Sequence, residues 1–309
     1  MPFQEKTFKA SDGKNVTYYY WPAANGSTAK ATVQLAHGMA EHAARYDRFA
    51  SFLAKNGYAV FANDHRGHGK TAGGAEQLGY TEEGSFWDKA LADMRSLHGI
   101  AKKQHPGLPH FLFGHSMGSF LTRHYIAEYG NEVSGAILSG TAGDPGFLGK
   151  VGAFIANMES IFKGRKKQSK LLNLLSFGKF NEPFKPNRTA YDWLSRDEAE
   201  VDKYVEDPLC GTVFTTGFFI DLLKGIGLIN NKNTFEKTPK DLPIYLFAGA
   251  KDPVGDMGKG VTEVFNAYKK AGLKKVLHKL YEEGRHEMLN EVNWEEVFGD
   301  VLEWLEEAV

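Results

Sequence analysis

The sequence is poor in cysteine, in long apolar runs and in any surplus of one charge. Cys210 stands alone, so no disulfide can form within the chain, which fits a reducing compartment. Cys210 is read as a small apolar residue in a packed segment rather than as a catalytic thiol. No window reaches the roughly 18 uninterrupted apolar residues of a membrane span. The stretch Met1-Pro2-Phe3-Gln4-Glu5-Lys6 is polar and has no apolar secretion core. The expectation is a soluble, cytoplasmic protein. A formal net charge of -1 leaves no global field to draw the chain onto nucleic acid or anionic lipid, so any such attraction must come from a local patch. Fixed-period repeats and low-complexity segments are also missing, which sets solenoids and fibrous proteins aside.

What is present is an alternation of short apolar runs with helical patterns. Val16 to Trp21 is aromatic and β-branched and follows the turn Ser11-Asp12-Gly13, so it reads as a strand paired with Lys6 to Ala10. Ala31 to Ala36, Tyr58 to Ala62, Phe111 to Phe113, Ala136 to Leu138, Ile244 to Ala248 and Lys275 to Tyr281 read as further strands. Helices are expected over Ala43 to Lys55, from Phe86 towards Pro106, over Ser119 to Tyr129, over Val261 to Lys270 and at the C-terminal end. Asn293 with Glu296 three residues on has the spacing of a capping box. The pattern predicts an α/β fold, a mostly parallel central sheet with helices on both faces. Residues 141–236 break the rhythm with helical stretches and no clear strand. They are expected to form a helical cap over the carboxyl ends of the strands, inserted into a core of residues 1–140 and 237–309.

The strongest chemical signal is Gly114-His115-Ser116-Met117-Gly118 directly after Phe111-Leu112-Phe113. It matches G-x-S-x-G between a strand and a helix, a turn so sharp that flanking side chains would clash. That turn lifts a serine hydroxyl above the sheet and aims the Met117 amide at a reacting carbonyl. A serine hydroxyl needs a base, and the chain has 11 histidines. His286 follows the last strand, where the order serine, acid, histidine requires the base. Asp252, just beyond the preceding strand and stiffened by Pro253, is the acid that orients it; Asp256 is the rival. His37-Gly38-Met39 comes straight after a strand, and the Met39 amide is the expected second oxyanion donor. His37 and His115 are read as loop supports, and His278 as a sheet residue. Asp64-His65-Arg66-Gly67-His68-Gly69 has titratable groups, but the chain shows no zinc-ligand spacing, and Asp64 is expected to bind loop amides. No metal or organic cofactor is implied.

These stretches, with His37-Gly38-Met39-Ala40-Glu41-His42, Arg45-Tyr46 and the weaker Glu200-Val201-Asp202-Lys203-Tyr204 and Asp207-Pro208-Leu209, resemble the monoacylglycerol lipase and lysophospholipase group of α/β-hydrolases. The likeness runs through the whole chain and is weakest from Ala142 to Pro186. It implies a Ser116, Asp252 and His286 triad and an oxyanion hole from Met39 and Met117. It also places Glu41, Arg45 and Tyr204 near the alcohol end of the substrate, although Glu41 and Arg45 serve equally well as an ion pair holding their loop. The implied substrate is a small-molecule acyl ester or lysolipid. A short-chain or aryl carboxylesterase, an acyltransferase or a peptidase on the same fold stays open, as does, more remotely, a non-catalytic binding protein. Eight basic residues between Lys150 and Lys185 alternate with apolar ones against only Glu159 and Glu182. That segment suits an anionic lipid surface, although a packed helix with a solvated basic face is the simpler reading.

Overall fold

The computed structural model describes residues 3–24, 28–81 and 84–309; Met1 and Pro2, at the head of the polar N-terminal stretch, lie outside them. Eight strands form one sheet: β1 (Gln4–Lys9), β2 (Asn15–Trp21), β3 (Ala31–Ala36), β4 (Tyr58–Asn63), β5 (His110–His115), β6 (Gly135–Ser139), β7 (Ile244–Gly249) and β8 (Val276–Tyr281). Their spatial order is β1-β2-β4-β3-β5-β6-β7-β8. β1 and β2 pair antiparallel, as does β2 with β4, and every later pairing is parallel. Strands β3 to β7 are buried at every residue, as a parallel sheet covered on both faces must be.

Alternation along each strand splits the core in two. Leu112 and Leu246 point into a cluster with Met94, Leu121 and Val264. Their neighbours Phe111, Phe113, Tyr245 and Phe247 point the other way, to Phe49, Leu53, Phe298 and Val301. Helices α1 (Asp47–Lys55) and α10 (Trp294–Ala308) therefore cover one face. Helices α2 (Phe86–Gln104), α3 (Met117–Tyr129) and α9 (Lys259–Lys270) cover the other.

Two local expectations change. The helix expected from Ala43 begins as a 3-10 turn, Ala43–Tyr46, and only Asp47–Lys55 is α-helical. The Ala43 amide donates to Asp64 Oδ1 (2.9 Å), which pins the turn to the loop after β4. Asn293 precedes α10 but does not cap it with its side chain. Its amide nitrogen instead donates to Glu296 Oε2 (2.8 Å), so the capping box is not formed.

Between β6 and β7 lie five helices: α4 (Gly146–Lys163), α5 (Lys170–Phe177), α6 (Glu198–Glu206), α7 (Thr216–Ile229) and α8 (Lys232–Lys237). The segment contains one isolated bridge, Gln168 with Thr215, and no strand among the described residues. It crosses the carboxyl ends of the strands. The Ala40 carbonyl, after β3, accepts from Tyr204 Oη and from the Gly211 amide, each at 2.9 Å. The carbonyls of Trp193 and Leu194 accept from the amides of His286 and Glu287 at 3.4 and 2.7 Å.

Candidate active site

The turn between β5 and α3 is built as its glycines require. Ser116 has φ 51° and ψ -121°, a left-handed conformation that a non-glycine residue holds only under strain. A Cβ on Gly118 would lie 2.0 Å from the Ala36 carbonyl oxygen, and one on Gly114 would lie 2.4 Å from that of Gly118. Both positions therefore exclude side chains, and α3 packs directly beneath β3 and β5. The Met117 amide is the first of α3, where unpaired N–H groups and the helix dipole favour negative charge.

The second turn follows β3. Gly38 is required for space rather than for bending. A Cβ there would meet Glu41 Oε1 at 2.8 Å and Ser116 Cβ at 3.2 Å. The left-handed residue of this turn is Ala40, with φ 60°. The Gly38 amide donates to Glu41 Oε1 (2.6 Å), leaving Met39 beside Ser116 on the wall of the same cavities.

His286 and Asp252 are brought together from the loops after β8 and β7. Nδ1 of His286 lies 2.9 Å from Asp252 Oδ2, and Asp252 is fully buried. Asp252 Oδ1 accepts from the Val254 amide (2.8 Å), fixing the carboxylate. Burial works against charge on the His286 ring, but the Asp252 carboxylate, aided by Glu287 and Glu41, outweighs it and raises the imidazole above its ordinary value. Asp256 is exposed and its side chain lies within 3.7 Å of Lys259. His286 and Ser116 line one pocket. Among the described residues no hydrogen bond joins the Ser116 hydroxyl to the ring; such contacts commonly tighten only with substrate.

His37 and His115 bond to neighbouring backbone and side chains near the site. His37 Nε2 accepts from the His65 amide (2.9 Å), so its Nδ1 carries the proton given to the Gly38 carbonyl (2.7 Å). His115 Nδ1 lies 3.1 Å from Ser139 Oγ. Burial pushes both rings well below the usual histidine range, so they are neutral. His278, on β8, stacks on Phe265. Asp64 accepts from the amides of Ala43 and Lys70 and from Tyr19 Oη, as expected of a loop organiser. Cys210 is partly buried and its thiol is raised by desolvation, so it is no thiolate nucleophile. His42, Asp207 and Cys210 bring three potential ligand atoms within 4.8 Å of one another, but His42 Nε2 and Asp207 Oδ2 already join directly at 2.8 Å.

Glu41 and Tyr204 line the pocket at Ser116. Arg45 sits behind them, with its guanidinium 4.8 Å from the Tyr204 ring centre and its NH1 2.7 Å from Glu41 Oε2. Two further residues escaped the sequence reading. Trp193 lies against the His286 ring, with centroids 5.2 Å apart, and Glu287 receives a bidentate pair from Arg45 at 2.7 and 2.8 Å. Glu287 follows His286 directly, and a buried carboxylate there needs a cation; nothing local in the sequence pairs it with residue 45.

Two cavities meet at Ser116, Met39 and Phe177. One, of about 490 Å³, is lined almost wholly by apolar side chains, including Phe120, Leu148, Ile155, Leu175, Leu223 and Ile226. The other, of about 60 Å³, is mixed: Glu41, Tyr204, Thr212 and Glu287 share its walls with Phe177, Trp193 and Leu194.

Comparison with known proteins matches residues 27–293 to the Hydrolase_4 family, described as serine aminopeptidase, S33. The chain belongs to this family. It is an ester-hydrolysing enzyme with the α/β-hydrolase fold. It is 29% identical to the monoglyceride lipase of Homo sapiens over 95% of this chain and 90% of that one. A thermostable carboxyl esterase from Bacillus coagulans, solved in complex with glycerol, is 31% identical over the full length of both chains, with a TM-score of 0.91. A soluble variant of the Saccharomyces cerevisiae monoglyceride lipase, solved with a substrate analog, covers 99% of this chain and 95% of its own at 24% identity and a TM-score of 0.78, and shares the fold. Among the described residues no helix is long and apolar enough to cross a membrane.

Proposed function

We propose that the enzyme cleaves monoacylglycerols or similar lipid esters with one long acyl chain and a small polar alcohol. The observation that carries this is the meeting at Ser116 of a large apolar cavity and a small one that offers the polar groups of Glu41, Tyr204, Thr212 and Glu287. An acyl chain fits the first and a glycerol-like head the second. Ser116 attacks the ester carbonyl as His286 takes its proton. The Met39 and Met117 amides hold the oxyanion, and Asp252 holds the ring and stabilises the imidazolium. His286 then protonates the leaving alcohol, and water releases the acid from the acyl-enzyme. Glu41 and Tyr204 border the alcohol, with Arg45 behind them.

In this reading residues 141–236 act as a cap on a core of residues 1–140 and 237–309. The cap supplies most of the apolar cavity wall and the tyrosines of the smaller one. The cap also touches lipid. Phe147, Leu148, Phe154, Ile161 and Phe162 of α4 are each at least 67% exposed, which a packed helix would not leave in water. Lysines at 150, 167, 170 and 179 lie in the same segment. Co-sedimentation with vesicles should rise with anionic lipid and fall with salt; equal recovery without vesicles removes this contact. The single cysteine favours a cytoplasmic location.

The deciding experiment compares 1-monoacylglycerols, lysophospholipids and p-nitrophenyl esters of rising chain length. Highest kcat/KM on a long-chain monoacylglycerol supports the proposal. A preference for acetate or butyrate esters supports a short-chain carboxylesterase instead; the 31% identical Bacillus coagulans protein is described as a carboxyl esterase.

A further inference from the structure

We infer that Glu287 is a positioning residue: through Arg45 and Glu41 it locks the histidine loop to the oxyanion turn, and its carboxylate stabilises the positive charge that His286 takes up. The inference rests on His286 being the base, as proposed above.

The geometry forms a closed circuit. Arg45 binds both oxygens of Glu287 at 2.7 and 2.8 Å and Glu41 Oε2 at 2.7 Å. Glu41 Oε1 in turn accepts from the Gly38 amide (2.6 Å) and Tyr46 Oη (2.8 Å). Glu287 Oε2 also accepts from Asn290 Nδ2 (2.9 Å), and its amide donates to the Leu194 carbonyl (2.7 Å). A displacement of the histidine loop is thus felt at Gly38, the residue before the Met39 amide. Every partner of Glu41 and Glu287 can donate, as two carboxylates around one guanidinium require; burial raises Glu41 above its ordinary value and Arg45 opposes that rise. Glu41 and Glu287 are 3% and 6% exposed, where a charge acts through less water. Arg45 holds Glu287 down at about 2, so it stays charged throughout the working range.

The charged and titratable groups facing His286 are Asp252 from the loop after β7, Glu287 on its own loop, Glu41 and Arg45 from the segment after β3, and His115 at the end of β5. His115 is neutral, so the surplus of carboxylates over Arg45 acts on the imidazolium. A carboxylate pair serving only to close the loop would not change how the base titrates; one that stabilises the imidazolium must.

The test is the pH profile of kcat/KM for a p-nitrophenyl ester, with fluorophosphonate labelling to count folded sites. In Glu287→Gln the acid limb should move to lower pH by at least about half a unit, with kcat falling more than KM changes. Glu287→Asp, which keeps the charge, should restore the limb. Glu41→Gln should shift it in the same direction by less, and decides the matter if Glu287→Gln does not fold. A labelled Glu287→Gln enzyme with an unmoved limb overturns the inference. Asp252→Asn separates the two levels. If it moves the limb and neither glutamate variant does, only the role of Glu287 fails. If none of the three moves it, the assignment of His286 fails as well.

Discussion

Residue by residue, the proposed chemistry depends on a serine hydroxyl, a weak nucleophile without a base beside it. Ser116→Ala removes the only proposed bond-forming group, and the rate on any ester substrate should fall by up to about 10⁶, read as single-turnover hydrolysis. Activity within tenfold of wild type would reject the nucleophile. Asp252→Asn should lower kcat by about 10⁴ while leaving the fold intact, because the imidazole then adopts the wrong tautomer. Gly38→Ala tests the turn rather than the side chains. The new methyl would press on Glu41 Oε1 at 2.8 Å and Ser116 Cβ at 3.2 Å, so the Met39 amide should be displaced. The expected loss is about 10²–10³ in kcat, with thermal stability far less affected, as a paired assay and melting curve would show.

Among the elements, the proposed function assigns selectivity to the helices between β6 and β7. Leu223 and Ile226 on α7 and Ile155 on α4 close the apolar cavity above Ser116. Ile226→Trp should fill part of its 490 Å³ and shift the preferred p-nitrophenyl ester to shorter chains while sparing acetate hydrolysis. An unchanged chain-length profile would place the acyl chain elsewhere. The helices share the core beneath them, where Phe218, Phe219 and Leu222 of α7 join Trp87 and Leu121, and polar ties add to that packing. Tyr204 Oη and the Gly211 amide both bond the Ala40 carbonyl, in the turn that carries Met39. In the proposed function, substrate binding under the helices and the geometry of the oxyanion turn are thereby linked.

At the scale of the whole molecule, the interior stores histidines that must stay neutral. Burial lowers His65 to about 3 and His68 and His98 to about 4, and pushes His37 and His110 well below the usual range. His98 and His110 stack with centroids 4.0 Å apart. A folded-state value below the unfolded one of about 6.5 means that the unfolded chain binds more protons. Stability is therefore complete above about pH 6.5 and drains as pH falls towards the folded values. Glu287 adds a loss in the same direction only between its ordinary 4.5 and about 2. His286, whose value is raised, acts in the opposite sense and stands alone against these five and His115, which burial also lowers. The urea midpoint should drop steeply between about pH 7 and pH 5; a flat profile would contradict the buried neutral rings.

Read along the chain, the residues already prescribed the sheet and the sharp turn at Ser116 and suggested the order of serine, acid and histidine. These follow from local rules: apolar alternation, glycines where backbone approaches backbone, and loops that follow strands. The residue pattern also placed Asp64 as an organiser of loops, since a lone carboxylate among amides has few other uses. Only the tertiary structure decided that Asp252 rather than Asp256 meets His286, that Gly38 is needed for space while Ala40 takes the left-handed turn, and that Asn293 leaves α10 uncapped. It alone joined Glu287 to Arg45, 242 residues away. The physical reason is common to all of these. Pairing of buried charges and contact across loops depend on distances that no spacing along the chain encodes, whereas strand, turn and helix answer to neighbours a few residues off.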